Sequence, residues 1–382
     1  MIHYTETYFA LKSLLKAGNQ VQHIPGSDAC FQSFEFTSDT PGNVFPATRT
    51  ELKGLSNINS DDSLIAENVR FTYPVIIPAS GKGNRAIILL HGLNERSWVK
   101  YYPWAERLAR ELRRPVILFP ISFHMNRSPA EWSNPRLMSP LLPSTRLRNR
   151  QNRSSTFVNL ALSLRLSQQP LRFFTSGRQS ALDLEKLISS IQSGNHPLFA
   201  KGTGIDFFAY SIGAFLAQIM MLAYGETFLN DTRLMMFCGG APFNRMNGVS
   251  KLIMDEEAFS RLRFFYLRQF EKELSKTDNP FSLFRESPAT KAFNAMVDSR
   301  RLREWRNHRF EKMRKRISTI ALKKDEVIPP SGISEIMNTE NLRIMDFPFE
   351  YTHENPFPLM PASEKVDHCF EKVFAEAAIF LR

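Results

Sequence analysis

The stretch "IDFFAYSIGAFLAQIM", Ile205 to Met220, changes from a strand pattern to a helix pattern at one serine. Its first residues form a short apolar run, and the apolar spacing after Ser211 is that of a helix. Ala209 and Gly213 stand two positions before and after the serine. Small residues at these positions let the helix pass close to the strand, so the stretch predicts a tight corner that exposes the serine hydroxyl. The simpler interpretation is that Ser211 caps the helix.

Apolar runs like this one alternate with helical patterns along most of the chain. The predicted strands begin at Phe31, Val69, Ala86, Pro115, Ile205, Arg233, Arg316 and Leu342. The predicted helices are Tyr102 to Leu112, Ser180 to Ile191, Ala214 to Tyr224, Ser331 to Met337 and Ser363 to Leu381. Alternating strands and helices indicate an open α/β sheet, mostly parallel, and the polar alternation of the two earliest strands favours an antiparallel edge.

Two segments are too long to be simple loops. Residues 126–178 contain five prolines, and residues 244–316 contain long helix-like stretches. Both are basic: eight arginines and no acid lie between Trp132 and Leu182, and the second segment has 18 Lys and Arg against 10 Asp and Glu. We therefore expect one domain, 1–382, with a basic insertion at 126–178 and a helical lid at 244–316.

Composition excludes several classes of protein. The net charge is +11, and no window approaches the eighteen apolar residues that a membrane-spanning helix needs. The first residues lack the apolar core of a signal peptide, which predicts a cytoplasmic protein. Cys30, Cys238 and Cys369 are far apart, so neither a disulfide framework nor a metal site is indicated, and no cofactor is expected.

The segment "AYSIG" resembles the nucleophile elbow G-x-S-x-G of the α/β-hydrolase superfamily, with Ala209 at the first small position. The resemblance implies a mostly parallel α/β-hydrolase sheet flanked by helices. It also implies a serine hydrolase that cleaves an ester, thioester or amide bond through an acyl-enzyme, with carboxylic esters favoured. In this superfamily the acid and then the histidine follow the serine along the chain.

The acid and the base are assigned from the positions that follow strands. Asp325 in "KKDEVIPP" follows a predicted strand, with Glu326 as the fallback. His353 follows the last strand, which favours it as the base. His368 is the fallback base, but it lies about 200° from the apolar stripe of the final helix and should face solvent.

The oxyanion site is expected from the turn "HGLNE", which resembles the H-G turn of the superfamily. The resemblance implies that the amides of Leu93 and Ile212 bind the developing oxyanion. Asn94, Tyr210 and His124 are candidate substrate contacts. For Asn94 a turn-stabilising role is equally expected, and for His124 an anchoring role in its loop is favoured.

A second hypothesis has a different function. The fold could be catalytically silent and bind a polyanion or an anionic membrane surface through its basic segments. No phosphate loop or nucleic-acid motif accompanies the arginines, so nucleic acid is not an expected partner. For an enzyme, the basic lid suggests a small-molecule substrate that carries negative charge, although arginines on an exposed helical surface would have the same composition.

Overall fold

A nine-stranded sheet forms the centre of the computed structural model. The structure describes residues 4–14, 21–24, 26–39, 58, 62–79, 83–142, 153–276, 284–360 and 363–382. The strands are β1 Gln22–His23, β2 Ala29–Thr37, β3 Arg70–Pro78, β4 Arg85–Leu90, β5 Val116–Leu118, β6 Gly204–Tyr210, β7 Leu234–Phe237, β8 Ile317–Leu322 and β9 Leu342–Met345. They lie in the order β1-β2-β3-β5-β4-β6-β7-β8-β9.

The direction of the strands follows their sequence patterns. Strands β1, β2, β3 and β5 pair antiparallel in succession, and all pairs from β5 to β9 are parallel. Every residue of β6 is buried, as expected of a parallel strand that is covered on both faces. The predicted fold class and its antiparallel edge are confirmed.

Helices cover both faces of the sheet. The longer ones are α1 Tyr4–Leu14, α2 Tyr102–Leu112, α3 Leu160–Gln168, α4 Leu171–Ser193, α5 Ile212–Tyr224, α6 Glu256–Phe264, α7 Phe270–Ser275, α8 Pro288–Val297, α9 Arg303–Lys312 and α10 Glu364–Leu381. Short helices of four residues span Ala66–Val69, Pro135–Met138 and Pro330–Ile333. Phe208 of β6 packs in one core with α2 and α10, whereas Phe207 packs in the other with α4 and α5. Successive side chains of the strand therefore anchor the two helical layers.

Two helix boundaries differ from the sequence prediction. Helix α4 begins at Leu171, nine residues before the predicted start at Ser180, because Gly177 does not interrupt it. The predicted helix from Ser331 to Met337 is a helix only over Pro330–Ile333, and the chain continues as a turn.

The two basic segments pack against each other, since α3 contacts α6. Parts of both, residues 143–152 and 277–283, lie outside the described residues, and with them Arg146, Arg148 and Arg150. Two arginines of the first basic segment, Arg165 and Arg172, do not face solvent. Both are buried and share Asp62 as an ion-pair partner, because the fold supplies an acid from a distant part of the chain.

Candidate active site

The corner at Ser211 has the geometry that the small neighbours predicted. The serine follows β6 directly and has φ 56° and ψ −120°, in the positive-φ region that side chains rarely adopt. A Cβ at Gly213 would lie 2.7 Å from the carbonyl carbon, the carbonyl oxygen and the Cβ of Leu90. Helix α5 therefore crosses β4 at a distance that only glycine permits, and the backbone strain at Ser211 is held by this packing.

Ser211, His353 and Asp325 form a continuous hydrogen-bonded chain. The Oγ of Ser211 lies 2.7 Å from Nε2 of His353, and Nδ1 of His353 lies 2.7 Å from Oδ2 of Asp325. All three side chains are buried. With Nδ1–H donating to the carboxylate, Nε2 is left as the acceptor for the serine hydroxyl.

Both carboxylate oxygens of Asp325 have hydrogen-bond partners. Its Oδ1 accepts hydrogen bonds from the amides of Val327 at 2.9 Å and Ile328 at 2.8 Å, while Oδ2 faces the histidine. The fallback acid, Glu326, is exposed and lines an open surface groove beside Arg245. The fallback base, His368, is exposed on α10, as its helical position predicted.

The loop that carries His353 is held through its main chain. The Tyr210 hydroxyl donates to the His353 carbonyl, and the Lys100 ammonium donates to the Glu354 carbonyl at 3.2 Å. The rings of Tyr210 and His353 stack with their centroids 5.5 Å apart. Tyr210 is a candidate substrate contact from the sequence, and in the structure its hydroxyl binds this loop.

Two amides are expected to form the oxyanion site, those of Leu93 and Ile212. Among the described residues, neither the Leu93 nor the Ile212 amide donates a hydrogen bond. The amides beside them are occupied: Gly92 donates to the Tyr101 hydroxyl at 2.9 Å, and Gly213 donates to the His91 carbonyl at 3.1 Å. These bonds fix both turns, so the Leu93 and Ile212 amides have defined positions beside them.

Asn94 and His124 have structural partners. Both amide hydrogens of Asn94 are used, at 3.1 Å to the Val158 carbonyl and 2.7 Å to the Leu252 carbonyl, so Asn94 stabilises its turn. His124 is anchored through Nδ1, 2.8 Å from the Ser122 carbonyl. Burial lowers the pKa of His124 to about 3, which keeps it neutral.

A small apolar cavity of about 40 Å³ lies beside the oxyanion residues. Leu93 and Ile212 form one side of it, and the rings of Phe173, Phe215 and Phe293 form the rest. Phe293 belongs to segment 244–316, so part of the expected lid lies against the site. Its role as a lid stays a prediction.

Several residues of the site carried no signal in the sequence. Tyr101 and Lys100 precede α2 and contact the site only because their loop folds over it. Cys238 follows β7, where burial and the neighbouring Asp325 carboxylate raise the pKa of its thiol. Its place at the end of a parallel strand was the one available indication.

Several solved structures that match this chain over most of its length are hydrolases by name. They include carboxyl esterase 2 from Tuber melanosporum, with a TM-score of 0.46, 10% identity, and 98% of this chain and 97% of that one covered. An S-formylglutathione hydrolase from Agrobacterium tumefaciens has a TM-score of 0.44, 13% identity, and coverage of 95% and 99%. An esterase from Pyrobaculum calidifontis has a TM-score of 0.44, 10% identity, and coverage of 98% and 91%.

Sequence comparison gives a family without an assigned activity. No curated protein sequence matches the chain. One family model does, over nearly the whole length. The match covers residues 2–382, and the chain therefore belongs to the family of unknown function DUF6051.

Proposed function

We propose that this protein is a serine hydrolase that cleaves carboxylic esters of small molecules through an acyl-enzyme. One observation carries the proposal: the unbroken chain from the Ser211 hydroxyl through His353 to Asp325, with both hydrogen-bond distances at 2.7 Å. A helix-capping serine would not need a buried histidine at this distance. The side chain of Ser211 also makes no capping bond to α5, which argues against the simpler role.

The first half-reaction transfers the acyl group to the enzyme. The Ser211 oxygen attacks the ester carbonyl carbon while Nε2 of His353 takes the hydroxyl proton. The carbonyl oxygen becomes an oxyanion, for which the amides of Leu93 and Ile212 are the proposed donors. Asp325 holds the histidine in the required tautomer and stabilises the imidazolium. When the intermediate collapses, the ester C–O bond breaks and His353 returns its proton to the departing alcohol.

The second half-reaction repeats these steps with water. Nε2 of His353 takes a proton from a water molecule, whose oxygen attacks the acyl carbon. Collapse of the second oxyanion breaks the bond to Ser211, and the serine oxygen regains a proton from His353. One ester and one water give one acid and one alcohol. The same residues support the cleavage of a thioester or an amide, in which a thiol or an amine leaves instead of an alcohol.

Segment 244–316 is proposed to act as the lid of this site. Phe293 lies on the cavity, and the Leu252 carbonyl accepts a hydrogen bond from Asn94 in the oxyanion turn. A segment with both contacts excludes water from the acyl group and limits its size. Replacement of Phe293 by alanine should therefore shift the preferred ester towards longer acyl chains.

The hypothesis of a catalytically silent, anion-binding surface has less support. Arg127, Arg165 and Arg172 are buried in ion pairs with Asp183 and Asp62, so they do not add charge to a surface. A buried serine, histidine and aspartate chain also has no role in that hypothesis.

The test is covalent labelling with a fluorophosphonate, which reacts with an activated serine. The protein should be labelled, and the variants Ser211→Ala and His353→Gln should not be. The matched controls Ser334→Ala and His368→Gln change exposed residues and should keep full labelling. Labelling of Ser211→Ala at the rate of the parent protein would refute the assignment.

A further inference from the structure

A second small cavity adjoins the cavity beside the oxyanion residues, and we call the second one the inner lobe and the first one the outer lobe. The two lobes share the residues Leu93, His124, Phe173 and Ser176. The outer lobe, of about 40 Å³, is apolar, and the inner lobe, of about 30 Å³, is lined by Arg96, Trp132 and Arg165 among others. Because the lobes share these residues, an acyl group that fills the outer lobe would have its far end near the inner one.

Three side chains that line the inner lobe each have one buried polar atom without a hydrogen-bond partner among the described residues. These atoms are Nε of Arg96, Nε1 of Trp132 and Nε2 of His124. The side chains of Trp132 and His124 are 2% and 5% exposed, so bulk water does not compensate them. Buried polar groups are nearly always paired, which makes three orphans on one cavity an indication of a ligand.

The charge of the lobe is positive. Arg96 donates only to neutral groups, the Ser128 hydroxyl at 3.1 Å and the Asn94 side-chain carbonyl at 2.8 Å, and it has no carboxylate partner in the described part of the chain. Burial lowers the pKa of Arg96 to about 10, with repulsion from Arg165 as a smaller cause, so Arg96 stays charged at neutral pH. Arg96 is partly exposed and has no carboxylate partner in the described residues, so a bound anion would add a charge-assisted contact to it.

We propose that the inner lobe binds a carboxylate at the far end of the acyl group, so that the preferred substrates are short monoesters of dicarboxylic acids. This inference rests on the proposed esterase function. Nε of Arg96 and Nε1 of Trp132 are donors and suit the anion. His124 already donates through Nδ1, so its Nε2 is an acceptor that suits a water or a hydroxyl on the acyl chain.

The size of the cavity limits the acyl group. One water-sized group needs roughly 10–15 Å³ of cavity volume. The two lobes, of about 40 and 30 Å³, therefore hold about five to seven such groups. A succinyl group has two methylenes and a carboxylate beyond its ester carbonyl, which is five atoms. Succinyl therefore fills the cavity, and much longer diacids do not fit.

The experiment compares two esters of the same shape. Monoethyl succinate carries the charge, ethyl succinamate replaces the carboxylate by an amide, and released ethanol is measured for both. We expect kcat/KM to be at least about 10-fold higher for the anionic ester, as for a charge-assisted contact in a buried site. Equal values, or a preference for the amide, would overturn the inference while leaving the esterase function intact.

Variants assign the preference to the inner lobe. Arg96→Met should reduce the ratio of the two kcat/KM values about 10- to 100-fold, the effect of losing one buried hydrogen bond to a charge. Trp132→Phe removes the indole N–H but keeps an aromatic ring, and it should reduce the ratio less. This variant provides the test if Arg96→Met does not fold. Arg343→Met alters an exposed arginine on β9 and should leave the ratio unchanged. An unchanged ratio in both Arg96→Met and Trp132→Phe would refute the assignment.

A binding measurement separates this inference from the proposed reaction. Titration calorimetry with Ser211→Ala protein should detect monoethyl succinate and not ethyl succinamate, and Arg96→Met in the same background should abolish the signal. If no ester is hydrolysed but this binding is found, the proposed function fails and the anion site stands. If neither ester binds, the anion site is refuted.

Discussion

Replacement of Gly213 by alanine tests the close crossing of α5 over β4. The added Cβ would meet three atoms of Leu90 at 2.7 Å, and two of them are backbone atoms of a fully buried strand. Ordinary contacts between such atoms are about 3.5–4.0 Å, so the helix must move by the order of 1 Å. Overpacking of this kind costs about 1–3 kcal/mol in the free energy of unfolding.

The same movement displaces the catalytic groups. The Gly213 amide donates to the His91 carbonyl at 3.1 Å. Gly213 directly follows Ile212, the proposed oxyanion donor, and Ser211, the proposed nucleophile. A displacement of about 1 Å in a positioned group can cost on the order of 100-fold in rate. We therefore expect Gly213→Ala to lower both stability and kcat.

Urea unfolding and ester hydrolysis measure the two effects. For the unfolding measurement the control is Gly177→Ala in the interior of α4, where the added Cβ would have no heavy atom within 4 Å; because Gly177 lines the cavity beside Leu93, it is not a control for hydrolysis. There the change should stabilise the protein by about 0.5–1 kcal/mol, because alanine favours the helix. A Gly213→Ala protein that is as stable and as active as the parent would show that the crossing is not as close as described.

Three further predictions concern buried charges and histidines. Asp325→Asn should lower kcat about 10⁴-fold with an unchanged circular dichroism spectrum, because the histidine tautomer is no longer enforced; retention of most of the activity would contradict the role of this carboxylate. Arg127→Met should cost about 3–5 kcal/mol in urea unfolding, because it leaves Asp183 buried without its partner at 2.7 Å, and adding Asp183→Leu should restore most of the loss. Burial lowers the pKa of His196 to about 4, so stability should fall by about 1–3 kcal/mol as the pH drops from about 6.5 to 4 and the unfolded chain takes up a proton. His196→Gln should reduce this dependence of stability on pH, whereas His368→Gln, which changes an exposed histidine, should not. If the parent and both variants lose stability equally between pH 6.5 and 4, His196 is not the cause.

The sequence was most informative where a local pattern and a steric need coincide. The turn from strand to helix at Ser211 needs small neighbours, and Gly213 meets that need against Leu90. The positions of Asp325 and His353 after consecutive strands of the sheet predicted that they would meet, because the carboxyl ends of parallel strands share one edge. The outward position of His368 followed from helical periodicity alone.

Contacts between distant segments had no pattern from which they could be predicted. Arg165 lies in a stretch without acidic residues, so its sequence neighbours offer no ion-pair partner. Its partner, Asp62, lies 103 residues earlier in the chain. The anchoring of His353 by Tyr210 spans 143 residues. Such pairs depend on how complete elements pack, and no local spacing encodes that packing. The predicted helix began at Ser180, after the proline-rich segment 126–178, whereas α4 begins at Leu171 within that segment.

The anchoring of the histidine loop has a practical consequence. Tyr210 and Lys100 bind the carbonyl oxygens of residues 353 and 354, and every amino acid supplies those atoms. A substitution at 353 removes the imidazole but keeps the loop tethered in place. An inactive protein made in this way preserves the shape of the parent and retains the nucleophile, so it is suited to capturing an uncleaved ester for crystallography.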